Sequence, residues 1–322
     1  MSNPSGVLSL RQLLDQQPTP KPCLLEPGIL PHQGILFVGG EPKVGKSLLV
    51  SNLALALAAG RSRAGFEVPN ACRVLFCQFE LPTEQLATRL TPMRQPLGTA
   101  ADNQFLVDTR SQGHFLSTSD GFKHFLDAAH EAQAQVIVLD PLYSTHDQDE
   151  NDTRAMAALC QTLLKLRDKT KASLIVVHHV KKSVSRHEVG TAFRGSGALH
   201  AVGDSYMLLT RLLQQQNTVE LRFQFRYAAA QKPRRLCLDP QTLWFKPADN
   251  QPSPLPESRR KVEIADVKRC FNKTEIVLGF NQLLHKIMTQ APCSKRTAQL
   301  AIQRACQQGA IRRQNGQYRL PL

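Results

Sequence analysis

Short apolar blocks recur along the first two thirds of the chain, and longer amphipathic stretches separate them. Ile35–Val38, Arg73–Phe79, Phe105–Val107, Val136–Leu139 and Leu174–Val177 are too short for buried helices and read as strands. Between them, Lys46 to about Ala59, a segment that Thr83 caps, and Gly121 to Ala132 read as helices. A further helix, capped by Asp152 and running through Asp168, places Met156, Leu159, Leu163 and Leu166 on one face. Strands without polar alternation, separated by helices, predict right-handed crossovers and a parallel sheet covered on both faces. After about Tyr206 the helical stretches stop. Tyr206–Leu209, Val219–Phe225 and Leu236–Leu238 read as an antiparallel extension of that sheet.

The ends have a different texture. Residues 1–30 are rich in Pro and Gln and read as an arm, followed by the α/β domain over 31–247. Four prolines between Pro247 and Pro256 mark a linker over 248–258. Residues 259–322 form a small module. Ile276 to Met288 reads as a helix, and Ser294 caps a second helix to about Gln307, which Gly309 stops. The pair Asn315-Gly316 then joins two basic strands, the strongest short hairpin signal. Helix, turn, helix and basic hairpin is a winged-helix layout. The fold class expected is therefore α/β, a mostly parallel sheet with an antiparallel extension, plus a small C-terminal winged helix.

Composition narrows the partners. The 322 residues contain no apolar run near the roughly 20 needed to span a membrane. The first twenty lack the basic start and apolar stretch of a secretory signal. The eight cysteines form no Cys-x-x-Cys pair, and read as reduced, buried thiols of a cytoplasmic protein. The net charge is +14, with 13 Lys and Arg against four Asp and Glu in residues 251–322. A basic module of this kind attracts nucleic acid, the alternative being a solvated basic face.

The chemistry is concentrated in Gly40-Glu41-Pro42-Lys43-Val44-Gly45-Lys46-Ser47, followed by Leu48, which fits Gly-x-x-x-x-Gly-Lys-Ser between a strand and a helix. Glycines let backbone N–H groups turn inward onto phosphate oxygens, and the helix N-terminus adds positive charge. Lys46 would reach the β and γ phosphates of ATP, and Ser47 would ligate Mg²⁺. Asp140, at a strand end, would hold the same Mg²⁺; capping the next turn is the alternative. Glu80 follows the second strand and suits a base that activates water, provided that this strand lies beside the phosphate-loop strand. His178 and His179 end the fifth strand. Of the two, His179 is preferred as a γ-phosphate sensor, and no third ligand marks a metal site.

This order (phosphate loop, Glu80, Asp140, histidine pair) resembles the RecA-like ATPases, and within them the hexameric plasmid RepA helicase group. The likeness spans about Pro27 to Trp244, including Pro27–Pro31, Glu150-Asn151-Asp152 and Arg194–Leu199 followed by Asp204. It implies Glu80 as general base, Asp140 as Mg²⁺ holder, His179 as sensor and Arg226 as an arginine finger on the neighbouring subunit's ATP. DnaB-type relatives carry Lys-x-Arg where this chain has Gln224-Phe225-Arg226, and Arg222 competes for the role. The segment carrying Lys181, Lys182, Arg186 and Arg194 corresponds to a loop facing the channel of RecA-like rings, where it would track single-stranded DNA. Lys295, Arg296, Arg312 and Arg313 would meet duplex DNA in the C-terminal module. The resulting expectation is a hexameric ATP-driven helicase or translocase serving replication of a plasmid or mobile element. The alternative is a DNA-binding regulatory or recombination-mediator ATPase that does not unwind. A kinase is the weakest reading, since the chain lacks an arginine-rich lid.

Overall fold

The computed structural model describes residues 7–15, 22–150, 152–180, 189–193, 197–212, 215, 217–248, 262–271, 277–291, 293, 295–314 and 316–321. The chain divides into two compact units, Met1–Asp249 and Asn250–Leu322.

A short helix, α1 (Leu10–Asp15), precedes the larger unit's sheet. There follow β1 (Ile35–Gly40), α2 (Lys46–Ala59), β2 (Val74–Gln78), α3 (Thr83–Arg94), β3 (Phe105–Asp108), α4 (Ser119–Glu131) and β4 (Val136–Asp140). Then come α5 (Thr153–Thr170), β5 (Ser173–His179), two short helices α6 (Val189–Phe193) and α7 (Gly197–Val202), and β6 (Ser205–Arg211). Strands β7 (Thr218–Phe225), β8 (Arg234–Leu238) and β9 (Phe245–Pro247) complete a nine-stranded sheet of order β3-β2-β4-β5-β1-β6-β7-β8-β9. From β3 to β6 all neighbours are parallel; from β6 to β9 they are antiparallel.

Every residue of β1, β2 and β4 is buried. The strand period of two divides them between two cores. Leu36, Val38, Val136 and Val138 pack on the α2 side with Leu49, Leu53 and Phe66. Ile35, Phe37, Ile137 and Leu139 pack on the α4–α5 side with Phe125, Met156, Leu159 and Leu163. Burial on both faces explains why these strands lack polar alternation.

Several expectations are corrected. β6 belongs to the parallel part of the sheet, beside β1, so the antiparallel extension begins only at β7. Thr83 is the first residue of α3, not its cap; Pro82 holds the cap position without a side-chain bond. α4 starts at Ser119, where the Thr118 hydroxyl accepts from Gly121 N. Asp152 does cap α5, accepting from Arg154 N and Ala155 N.

The smaller unit contains α8 (Ile264–Arg269), β10 (Val277–Gly279), α9 (Phe280–Gln290), α10 (Lys295–Gln307), β11 (Arg312–Gln314) and β12 (Gln317–Arg319). Its sheet is antiparallel, in the order β10-β12-β11. Its own core includes Val267, Leu283, Ile287, Ala301, Ile302, Ile311 and Tyr318. The helix expected from Ile276 is here a strand followed by a helix, because Val277–Gly279 pairs with Gln317–Arg319 before the chain coils. Ser294, Asn315 and the proline-rich stretch from 249 on lie outside the described residues. Among the described residues, no helix is long and apolar enough to cross a membrane.

Candidate nucleotide site

The loop between β1 and α2 takes its shape from two left-handed positions, Lys43 (φ 61) and Gly45 (φ 104). A side chain at Gly45 would also come within 3.2 Å of the Phe245 ring, and one at Gly40 within 2.7 Å of the Leu209 carbonyl oxygen. At Gly40 the backbone carbonyl makes glycine a steric requirement, and at Gly45 the left-handed φ makes it a conformational one.

Lys46 opens α2 and is almost wholly buried. Its ammonium donates to the carbonyls of Gly40 (2.9 Å) and Glu41 (3.0 Å), and lies 3.0 Å from His179 Nδ1. An ammonium only donates, so Nδ1 of His179 is the acceptor and the neutral ring carries its proton on Nε2. Burial lowers the Lys46 pKa to about 8, with the charges of Asp140 and Glu80 holding it up. The pKa of His179 is lowered by burial and then by Lys46, while Glu80 raises it.

Ser47 Oγ donates to Asp140 Oδ1 at 3.0 Å. The second oxygen of Asp140 is buried without a hydrogen-bond partner. Burial lifts the Asp140 pKa to about 6, and Glu80 adds to this, against the Ser47 hydrogen bond, Arg89 and Lys46. An orphaned carboxylate oxygen beside a serine hydroxyl is a hard-oxygen donor set that fits Mg²⁺.

Glu80 reaches the same place by a route different from the one expected. β2 does not flank β1; β4 and β5 lie between them. Because all four strands are parallel, their C-terminal ends meet at one edge of the sheet, and Gln78 pairs in register with Asp140. Gln78 Oε1 accepts the backbone N–H groups of Glu80 and Leu81, which shapes the bend that carries Glu80. The result is a cleft of about 620 Å³ lined by Lys43, Gly45, Lys46, Ser47, Glu80, Arg89, Asp140, Tyr143 and His179, among others. A second cleft of about 490 Å³ shares Lys43, Gly45 and Leu48, and is bounded by Val219, Leu238 and Phe245.

The two histidines face opposite ways. His178 is buried against Phe193, with Nδ1 3.9 Å from Glu150 Oε1, and burial lowers its pKa to about 4. Arg226 does not approach its own chain's loop. It follows β7 at the opposite edge of the sheet, where it donates to Ala201 O (2.6 Å) and pairs with Asp204 (3.7 Å). The length of β1, roughly 17 Å at 3.3 Å per residue, separates the two edges. Arg222 is paired with Glu220 at 2.6 Å. Lys181, Lys182, Arg186 and Arg194 lie outside the described residues. Lys295 and Arg296 begin α10 and Arg312 and Arg313 begin β11, all four exposed, with the Arg313 guanidinium 5.8 Å from the Tyr318 ring centroid.

Three cleft residues carried no sequence signal. Arg89 lies on α3, Tyr143 on the turn after β4, and Arg211 at the end of β6, where it donates to Lys43 O at 2.5 Å. None belongs to a local motif; only the fold brings each one to the loop.

No curated protein matches the chain in sequence. Among solved structures, the ATPase domain of G40P superposes with a TM-score of 0.52 at 14% identity, covering 68% of this chain and 86% of that one. A DnaB-like replicative helicase, solved for its interactions with primase, gives 0.54 at 12%, covering 67% and 57%. The KaiC-like protein PH0186 of Pyrococcus horikoshii OT3 gives 0.51 at 10%, covering 70% and 93%. At these identities the likeness is one of fold: the larger unit has the RecA-like architecture of helicase ATPase domains. The AAA domain family matches residues 3–185, a span that holds the phosphate loop, Glu80, Asp140 and the histidine pair. On that match over more than half its length, the chain belongs to the AAA domain family.

Proposed function

We propose that this protein is an ATP-driven DNA helicase or translocase of the RepA type that works as a ring, with a hexamer as the expected assembly. The observation that carries the reading is the convergence of Lys46, Ser47, Asp140, Glu80 and His179 on one cleft. Lys46 and the loop N–H groups would bind the phosphates of ATP. Ser47 and Asp140 would hold Mg²⁺, which would neutralise charge on the transferred phosphoryl group. Glu80 would take the proton of the attacking water, and His179, bonded to Lys46, would register the γ-phosphate. Arg89 would add positive charge from the same chain.

Arg226 is the proposed finger for a neighbouring copy. Its place at the far edge of the sheet supports a role in trans, because it cannot serve its own cleft. The helix α1 exposes Leu10, Leu13 and Leu14 at 71%, 52% and 61%, an apolar face suited to a second copy. One of the structures of similar fold is a DnaB-like replicative helicase, in keeping with a role in replication; a plasmid or mobile element as the setting rests on the sequence resemblance alone. We assign DNA tracking to the segment with Lys181, Lys182, Arg186 and Arg194 on sequence grounds. The smaller unit's order of helix, strand, helix, helix and hairpin supports a winged helix, with Lys295, Arg296, Arg312 and Arg313 toward DNA.

The test is ATP turnover with and without single-stranded DNA, in the native chain and in Glu80→Gln, beside unwinding of a forked duplex. DNA-stimulated turnover and unwinding, both lost in Glu80→Gln, are expected. Turnover that ignores single strands, together with tight duplex binding, would replace the motor with a regulatory switch.

A further inference from the structure

We propose that Tyr143 is a positioning residue for hydrolysis: its hydroxyl fixes one oxygen of the Glu80 carboxylate and thereby aims the other at the water to be activated. The proposal rests on the reading of Glu80 as the base.

The turn that carries Tyr143, Leu142–Thr145, is built to present one side chain. Leu142 and Thr145 are fully buried on either side. Thr145 Oγ1 donates to Leu142 O at 2.7 Å, and Thr145 O accepts Leu116 N at 2.7 Å. Between these two anchors Tyr143 points away from the core, 42% exposed, into the nucleotide cleft. At that exposure the ring still covers part of its surface, so the test must keep the ring and remove only the hydroxyl.

Besides a hydrogen bond with Ser144 of its own turn, Tyr143 meets two groups of the site. The phenol donates to Glu80 Oε1. The ring lies against His179, with centroids 5.3 Å apart and planes at 43°. Tyr143 thus ties the carboxylate to the histidine that meets Lys46. The hydrogen bond to Glu80 also pushes the Tyr143 pKa up from a value at which the phenol is already a donor at neutral pH.

Glu80 needs such a partner. It sits on a bend beyond β2, exposed, with three side-chain torsions and only its backbone N–H fixed by Gln78. A base must be aimed closely to abstract a proton in the transition state, and a loosely held one loses rate without losing substrate affinity.

Tyr143→Phe removes the hydroxyl and keeps the ring, so the clamped turn should fold as before; a melting temperature within about 2 °C checks this. We would measure kcat, KM for ATP and the affinity for a fluorescent ATP analogue in the native chain, Tyr143→Phe, Glu80→Gln and the double variant. Tyr143→Phe should lower kcat about tenfold, with KM and affinity within about twofold, and should have no further effect on top of Glu80→Gln. A kcat within about twofold of native, a loss shared by KM or analogue affinity, or an equal loss in the Glu80→Gln background would overturn the proposal. If Glu80→Gln lowers kcat and Tyr143→Phe does not, only the role of Tyr143 falls. If Glu80→Gln leaves kcat unchanged, the base assignment itself falls, and Tyr143 with it.

Discussion

Burial of Asp140 sets stability against activity. Its pKa of about 6 in the folded chain exceeds the roughly 3.9 of an unfolded carboxylate, so the folded state holds the proton more tightly. The stabilisation this gives is complete below about pH 4 and is lost as pH rises through about 6. Asp140→Asn should therefore melt higher than the native chain at pH 7.5, by on the order of 1–3 kcal/mol, and no higher at pH 4. The same variant should lose Mg²⁺-dependent turnover. Thermal melts at the two pH values, without added Mg²⁺, check the first part; an offset that is the same at both would refute it. At this scale the sequence is most legible where chemistry is local. The phosphate loop is one contiguous motif, and Glu80, Asp140 and His179 are each marked by the end of an apolar block. Tyr143 and Arg89 are not legible, because a turn and a helix must fold back before either faces the loop.

The phosphate loop is also an element whose backbone can be tested. Gly45→Ala would place a side chain at φ 104 and against Phe245. A loss of about 1–3 kcal/mol in stability and of nearly all nucleotide affinity is expected, read by chemical denaturation and by titration of a fluorescent nucleotide. Asp152 satisfies two backbone N–H groups at the start of α5, and Asp152→Ala should cost about 1 kcal/mol in the same denaturation experiment while leaving nucleotide affinity intact. Element types are readable from periodicity, and the exceptions have physical causes. Val277–Gly279 is an apolar run that leads straight into a helix; its partner strand β12 lies some forty residues on, and local pattern cannot announce that pairing. β6 reads as antiparallel because no long helix precedes it, yet α6 and α7 supply the crossover as two short pieces.

For the whole molecule, the division into two units gives a clean experiment. A chain ending at Asp249 retains every described residue of the nucleotide cleft, so its basal ATP turnover should stay within about threefold of native. If the smaller unit binds DNA, the truncated chain should bind duplex more weakly. The full chain's log affinity should also fall more steeply with log salt, by close to one unit of slope for each phosphate that the smaller unit neutralises. Equal affinities and equal slopes would remove DNA from that unit's role. Both-face burial makes the parallel sheet readable from sequence. The order of its strands is not readable, since it depends on which helices cross which face, and the placement of Glu80 two strands farther from the loop than expected follows from that.

His178 and His179 are neighbours on one strand and face different surroundings, one Phe193 and Glu150, the other Lys46. Successive side chains of a strand point to opposite faces of the sheet, which is why two neighbouring histidines meet different surroundings. The end of β5 therefore stands between the phosphate side, which His179 faces, and the packing of Phe193 on α6, which His178 faces.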